Sequence, residues 1–142
     1  MTIVFRYKSV KRPDGSFVKA PLIPVTFIGK ESFDTVALID SGADISAMPT
    51  ETAEILGLDI KGDLSNAYGI GGKVSAVQTT TTIRIHKGHE DYRLSLPLKV
   101  ILDNYDFPIL LGRLGFFDNF VVTFDQKEER VLLKKKFSKD GA

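Results

Sequence analysis

The stretch Ala37-Leu38-Ile39-Asp40-Ser41-Gly42-Ala43-Asp44 decides how this chain is read. An apolar run ends there in a carboxylate, a hydroxyl and a glycine. An Asp placed directly after a buried strand needs partners for its oxygens, and the following Ser and Gly supply a hydroxyl and an unobstructed backbone N–H. Alone, the triplet reads most simply as a strand closing in a β-turn. Two stretches further along change that reading.

The first is Asn66-Ala67-Tyr68-Gly69-Ile70-Gly71-Gly72-Lys73-Val74, glycine-rich and running straight into an alternating strand, as a bendable hairpin would. A phosphate-binding loop is the competing reading. It fails because no helical pattern follows and neither Ser nor Thr comes after Lys73. The second is Phe107-Pro108-Ile109-Leu110-Leu111-Gly112-Arg113, an apolar strand ending in a glycine and a cation before a short helix. Taken alone it is a core strand followed by a solvated Arg.

In this order, ALIDSGAD, YGIGG and ILLGR resemble the signature of the retroviral-type (retropepsin-like) aspartic proteases, the single-domain relatives of pepsin. That signature is an apolar pair before Asp-Thr/Ser-Gly-Ala, a glycine-rich flap, and an apolar strand with Gly-Arg before a short helix. The resemblance covers about residues 22–125 and implies an all-β fold. The expected form is a closed antiparallel β-barrel of the acid-protease type with one or two short helices and a flap hairpin. Ser41 stands where many relatives have Thr. An extra hairpin over 1–21, the closing hairpin and tail over 120–142, and a more pronounced helix after the triplet resemble cellular or prokaryotic members more than viral ones.

The rest of the chain fits one β-rich domain over 1–142. It has 142 residues, 43% hydrophobic and 26% charged, the balance of a globular protein too short for two separate cores. Phe5 to Val10 and a strand from Phe17 flank the turn Pro13-Asp14-Gly15-Ser16 and predict an N-terminal hairpin. Leu22 to Ile28 and Phe33 to Ile39 are nearly continuous apolar runs, as for strands covered on both faces. Val77, Thr79, Thr81, Ile83 and Ile85 alternate with polar residues, and Tyr92, Leu94, Leu96, Leu98, Val100 and Leu102 repeat the pattern, predicting a long hairpin. A helix is expected from Thr50 to Leu56, stopped by Gly57, and one or two helical turns from Arg113 to Asp118. FVVTFD and RVLLKK form a closing hairpin.

Composition removes whole branches of chemistry. With Cys 0 there is no disulfide, thiolate metal site or cysteine nucleophile. His86 and His89, both in a turn, supply at most two ligands, so no metal and no cofactor is expected. The formal charge of +1 gives no global pull towards nucleic acid or an anionic membrane. The lysines at 134, 135, 136 and 139 read as a solvated strand end, with an acidic or nucleic-acid contact as the weaker alternative. The N-terminal MTIVFRYKSVKRPDG lacks the apolar stretch of a secretion signal, and a cytoplasmic location is expected.

For peptide hydrolysis without a metal or a covalent intermediate, one carboxylate must take a proton from water and one carboxylic acid must polarise the carbonyl. Asp-Ser-Gly occurs once, so the second Asp has to come from another chain across a two-fold axis. The resemblance thus implies a homodimeric endopeptidase in which two copies of Asp40 hold the lytic water. Ser41 would cross-bond the two active loops and Gly42 would bind substrate backbone. Ala43 completes the motif, and Asp44 with Arg113 would form an ion pair inside each subunit. Tyr68, Gly69, Ile70, Gly71 and Gly72 would make a flap over an extended peptide, with Ile70 at its tip. Leu38, Pro108 and Leu110 would line the side-chain pockets. Pepstatin-like inhibitors are candidate ligands, whereas nucleic acid and membranes are not expected partners. Two other readings compete: a non-catalytic dimerisation or peptide-binding module that retains the fold, and a β-rich nucleic-acid binder using the lysine tail. The intact Asp40-Ser41-Gly42 argues against the first, and the lack of exposed aromatics among basic residues argues against the second.

Overall fold

The computed structural model describes residues 1–58, 60, 63–69, 72–103 and 107–137. Its strands are β1 (Thr2–Arg6), β2 (Lys8–Lys11), β3 (Phe17–Ala20), β4 (Leu22–Ile28), β5 (Ser32–Ile39), β6 (Ser46–Pro49), β7 (Asp63–Gly69), β8 (Gly72–Lys87), β9 (Glu90–Ile101), β10 (Leu110–Leu111), β11 (Phe120–Asp125) and β12 (Arg130–Lys135), with one helix, α1 (Thr50–Ile55). They form a seven-stranded sheet in the order β4-β5-β10-β6-β9-β8-β7, a three-stranded sheet β1-β12-β11 and the hairpin β2-β3.

Alternation is obeyed where it was clearest. β8 and β9 pair antiparallel from Ala76↔Ile101 to Lys87↔Glu90, and Leu94, Leu96, Leu98 and Val100 are buried opposite exposed or half-buried neighbours. β4 also pairs with β8 through Thr26↔Arg84 to Ile28↔Thr82, so the large sheet curls back on itself. The expected closed antiparallel barrel is corrected in one respect. β10 runs parallel to β5 and β6 parallel to β9, so the sheet is mixed. The cause is topological: β10 arrives from late in the chain and inserts between β5 and β6.

The N-terminal reading is corrected as well. The run from Phe5 to Val10 is not one strand: β1 pairs with β12, from Thr2↔Lys134 to Arg6↔Arg130, and only β2 pairs with β3. The division falls at Tyr7, which is buried and whose N–H donates to the Glu129 carbonyl. Burial of Ile3, Phe5 and Tyr7 against Val131 and Leu133 ties the end sheet into the single hydrophobic core.

Helix α1 follows Pro49, whose extended φ −66°, ψ 151° prepares the first turn. It ends in a Schellman arrangement: Leu58 N–H donates to Ala53 O and Gly57 N–H to Glu54 O, with Gly57 at φ +70°. The segment Arg113–Phe117 is not the regular helix expected. Leu114 (φ −71°, ψ 123°) and Gly115 (φ 87°, ψ −40°) make a type II-like turn in it. Steric demand explains the glycine, since a Cβ at 115 would sit 2.4 Å from the Leu96 Cβ.

Candidate active site

Asp40 leaves β5 held from both sides. Ile39 N–H donates to Pro21 O at 3.1 Å, Leu38 N–H to Ile109 O at 2.7 Å and Asp40 N–H to Leu111 O at 3.0 Å. The chain then turns: Ala43 N–H reaches back to Asp40 O at 3.3 Å, and Gly42 N–H donates to Asp40 Oδ1 at 2.9 Å. The carboxylate is half-buried while Ser41 and Gly42 are exposed. Oδ2 has no hydrogen-bond partner among the described residues, so the group offers one anchored and one open oxygen. A Cβ at position 42 would come within 3.2 Å of Oδ1. Glycine therefore keeps the donor close without crowding the acceptor.

The segment after β10 clamps this loop. Arg113 N–H donates to Ala43 O at 2.8 Å and Leu114 N–H to Asp44 O at 2.8 Å. The Arg113 guanidinium donates through Nη1 to Ser41 O at 2.7 Å. Gly112 lies so close to the loop that a Cβ there would meet the Ile45 carbonyl carbon at 2.7 Å and Ala43 O at 2.9 Å. Its N–H donates to the buried Ser46 Oγ at 3.0 Å. Ser46 is a supporting residue that sequence reasoning missed; no motif marked it, since a Ser at the start of a short strand carries no distinctive pattern.

The expected Asp44–Arg113 ion pair is corrected. Among the described residues Arg113 forms no ion pair, and Asp44 Oδ1 instead accepts the N–H of Ile45 at 2.8 Å. Both side chains are exposed. The guanidinium gains more by capping the Ser41 carbonyl of a tightly turned loop, where few other donors reach, than by pairing with a hydrated carboxylate.

Leu38 and Leu110 are register partners on β5 and β10. Both are half-buried, and Pro108, two residues before Leu110, is exposed. The candidate pocket residues thus gather at the strand ends that carry Asp40. β7 and β8 form the glycine-rich hairpin, paired down to Gly69↔Gly72, with Gly72 at φ +106°. Ile70, Gly71 and the Tyr68 side chain lie outside the described residues, as does Lys139. Near the base of this hairpin, Lys99 Nζ donates to Asn66 O at 2.6 Å and Ser75 N–H to Asp103 Oδ2 at 3.0 Å.

A cavity of about 260 Å³ lined by Ile28, Gly29, Leu58, Thr81 and Ser95 lies elsewhere. Leu22↔Leu38 and Ile28↔Ser32 are the two ends of the β4–β5 ladder, so this cavity sits at the opposite end from Asp40. His86 and His89 are exposed at the β8–β9 turn, and among the described residues no three His, Cys, Asp or Glu side chains gather as a metal site would require.

No protein-family model matches the chain, and no curated protein matches it. Solved structures do. A retropepsin-like aspartic protease from Rickettsia conorii is similar with a TM-score of 0.55 at 22% identity, over 94% of this chain and 92% of that one. The retroviral protease-like domain of Ddi1 from Leishmania major is similar with a TM-score of 0.52 at 19% identity, over 87% of this chain and 98% of that one. The chain has the retropepsin-like fold.

Proposed function

We propose that this chain is an aspartic endopeptidase that works as a homodimer, with one composite site built from two copies of Asp40. The observation that carries the proposal is the state of Asp40. Its carboxylate ends a strand clamped on both sides, with Oδ1 held by Gly42 N–H at 2.9 Å and Oδ2 open. A water held between two such carboxylates is deprotonated by one while the other, protonated, donates to the scissile carbonyl oxygen. The two roles exchange by symmetry.

Ser41 is exposed and positioned to bond across to the partner's loop. Gly42 presents its unobstructed backbone to substrate, and the β7–β8 hairpin closes over an extended peptide and excludes water. Leu38, Pro108 and Leu110 give the neighbouring side-chain pockets an apolar lining, which favours hydrophobic residues on either side of the cut. Arg113 acts as a positioning residue through the Ser41 carbonyl.

The test is cleavage of a peptide library by the purified chain, with and without pepstatin. Cleavage beside hydrophobic residues, inhibited by pepstatin and unaffected by chelator, is the expected result. A dimer that binds peptides and cleaves none of them would favour the non-catalytic module.

A further inference from the structure

We propose that the second copy docks through the free edge of β11, so that two β1-β12-β11 sheets join into one six-stranded sheet without exchanging strands. This rests on the homodimer reading above and names the surface it uses. The end sheet has two edges, and they differ. The β1 edge is covered: Lys87 Nζ donates to the outward carbonyl of Val4 and its ammonium lies over the Phe5 ring. A lysine on a strand edge is a common way to block further pairing. β1 is moreover already paired along its whole length to β12 of its own chain, which leaves it nothing to lend to a partner.

The β11 edge has no such protection. The strand reads Phe-Val-Val-Thr-Phe-Asp, with no lysine, no proline and no bulge before its last residue. Val121 is 49% exposed and Phe124 42% exposed. Lys136 N–H donates to Asn119 O, which sets the phase of the β11–β12 ladder. In an antiparallel ladder bonded and non-bonded positions alternate, so Val121 and Thr123 bond inward to β12 while Val122 and Phe124 turn their N–H and C=O groups outward. Two copies related by a two-fold axis at Thr123 place Val122 of each opposite Phe124 of the other, and all the outward groups at these positions are then satisfied. The arrangement is self-complementary, as an isologous contact must be.

What selects a second copy as the occupant is continuity with the site. β11 begins directly after the turn Arg113–Phe117, the segment whose Arg113 grips the Asp40 loop through Ser41 O and Ala43 O. An axis through β11 therefore acts on the one element that is tied to both the free edge and the active loop. A site that has one Asp per chain is incomplete without such an axis.

The experiment uses two variants. Val122→Pro removes an outward N–H that β12 does not use, and proline is tolerated at such an edge position. It is expected to leave the fold intact by circular dichroism while weakening dimerisation by about tenfold or more in sedimentation, because two symmetry-related bonds are lost. Thr123→Cys puts the chain's one cysteine at the proposed axis, where facing Cβ atoms in a non-hydrogen-bonded pair lie about 5 Å apart. Mild oxidation is expected to give a covalent dimer in high yield. A parent that stays monomeric, or a dimer that neither proline weakens nor the cysteine cross-links, overturns the proposal. Peptide cleavage measured on the same samples separates the two claims. An active dimer that ignores both substitutions contradicts the interface alone, and a cross-linked dimer that cleaves nothing contradicts the protease reading alone.

Discussion

Arg113 donates through Nη1 to the carbonyl oxygen of Ser41 at 2.7 Å, tying the residue after the candidate catalytic Asp to a segment seventy positions later in the chain. The cation serves backbone geometry rather than the charge of Asp44. Because the guanidinium is exposed, Arg113→Ala is expected to cost only about 1 kcal/mol in unfolding free energy. Cleavage is expected to fall by roughly tenfold to a hundredfold, since the loop carrying Asp40 loses a restraint. Thermal unfolding and peptide hydrolysis on the same preparation check both parts. Equal loss of stability and none of activity would remove Arg113 from the site.

The Gly112–Ser46 contact is a second support, and it is buried. Ser46→Ala leaves the Gly112 N–H without its acceptor at a site 1% exposed, a loss of about 1–3 kcal/mol. Gly112→Ala drives a methyl group into the Ile45 and Ala43 backbone and is expected to cost about 3 kcal/mol, since backbone yields less readily than side chains. Urea unfolding of the two variants measures these losses.

Stability should carry one pH signature away from the site. Arg84 bonds Asp91 with Nε at 2.8 Å and Nη2 at 2.7 Å across the β8–β9 ladder. That hydrogen bonding, chiefly, and the neighbouring charge hold the Asp91 carboxyl below the usual carboxylate range. A depressed folded-state pKa gives stability that is fully present above the ordinary carboxylate value and lost as pH falls through the lowered one. Asp91→Asn should therefore melt slightly below the parent at neutral pH, and the difference should vanish in acid. Melting curves over pH 2–7 test this, and a difference that persists unchanged in acid would show that the pair does not contribute.

The site was legible in the sequence where chemistry and local pattern coincide. Asp40 follows an apolar strand and is succeeded by small residues, and the structure puts it at a strand end with Gly42 N–H on its carboxylate. The β8–β9 hairpin was readable because every second residue from Leu94 to Val100 is buried. What the sequence hid was non-local. β1 and β2 look continuous because Phe5 to Val10 is uniformly strand-favouring, and only the partner β12 reveals the break at Tyr7. Gly115 suggests no helix break until Leu96 is placed against it. Asp44 and Arg113 look like a pair by charge, yet backbone groups nearer to each take their hydrogen bonds.

The most direct measurement is cleavage by the parent and by Asp40→Asn, each shown to be folded and dimeric. An amide matches the carboxylate in size but cannot take a proton from water. The account predicts that the parent hydrolyses peptides and that Asp40→Asn loses at least about a thousandfold of that rate while its dimer persists. Hydrolysis by Asp40→Asn at the parent's rate would contradict it.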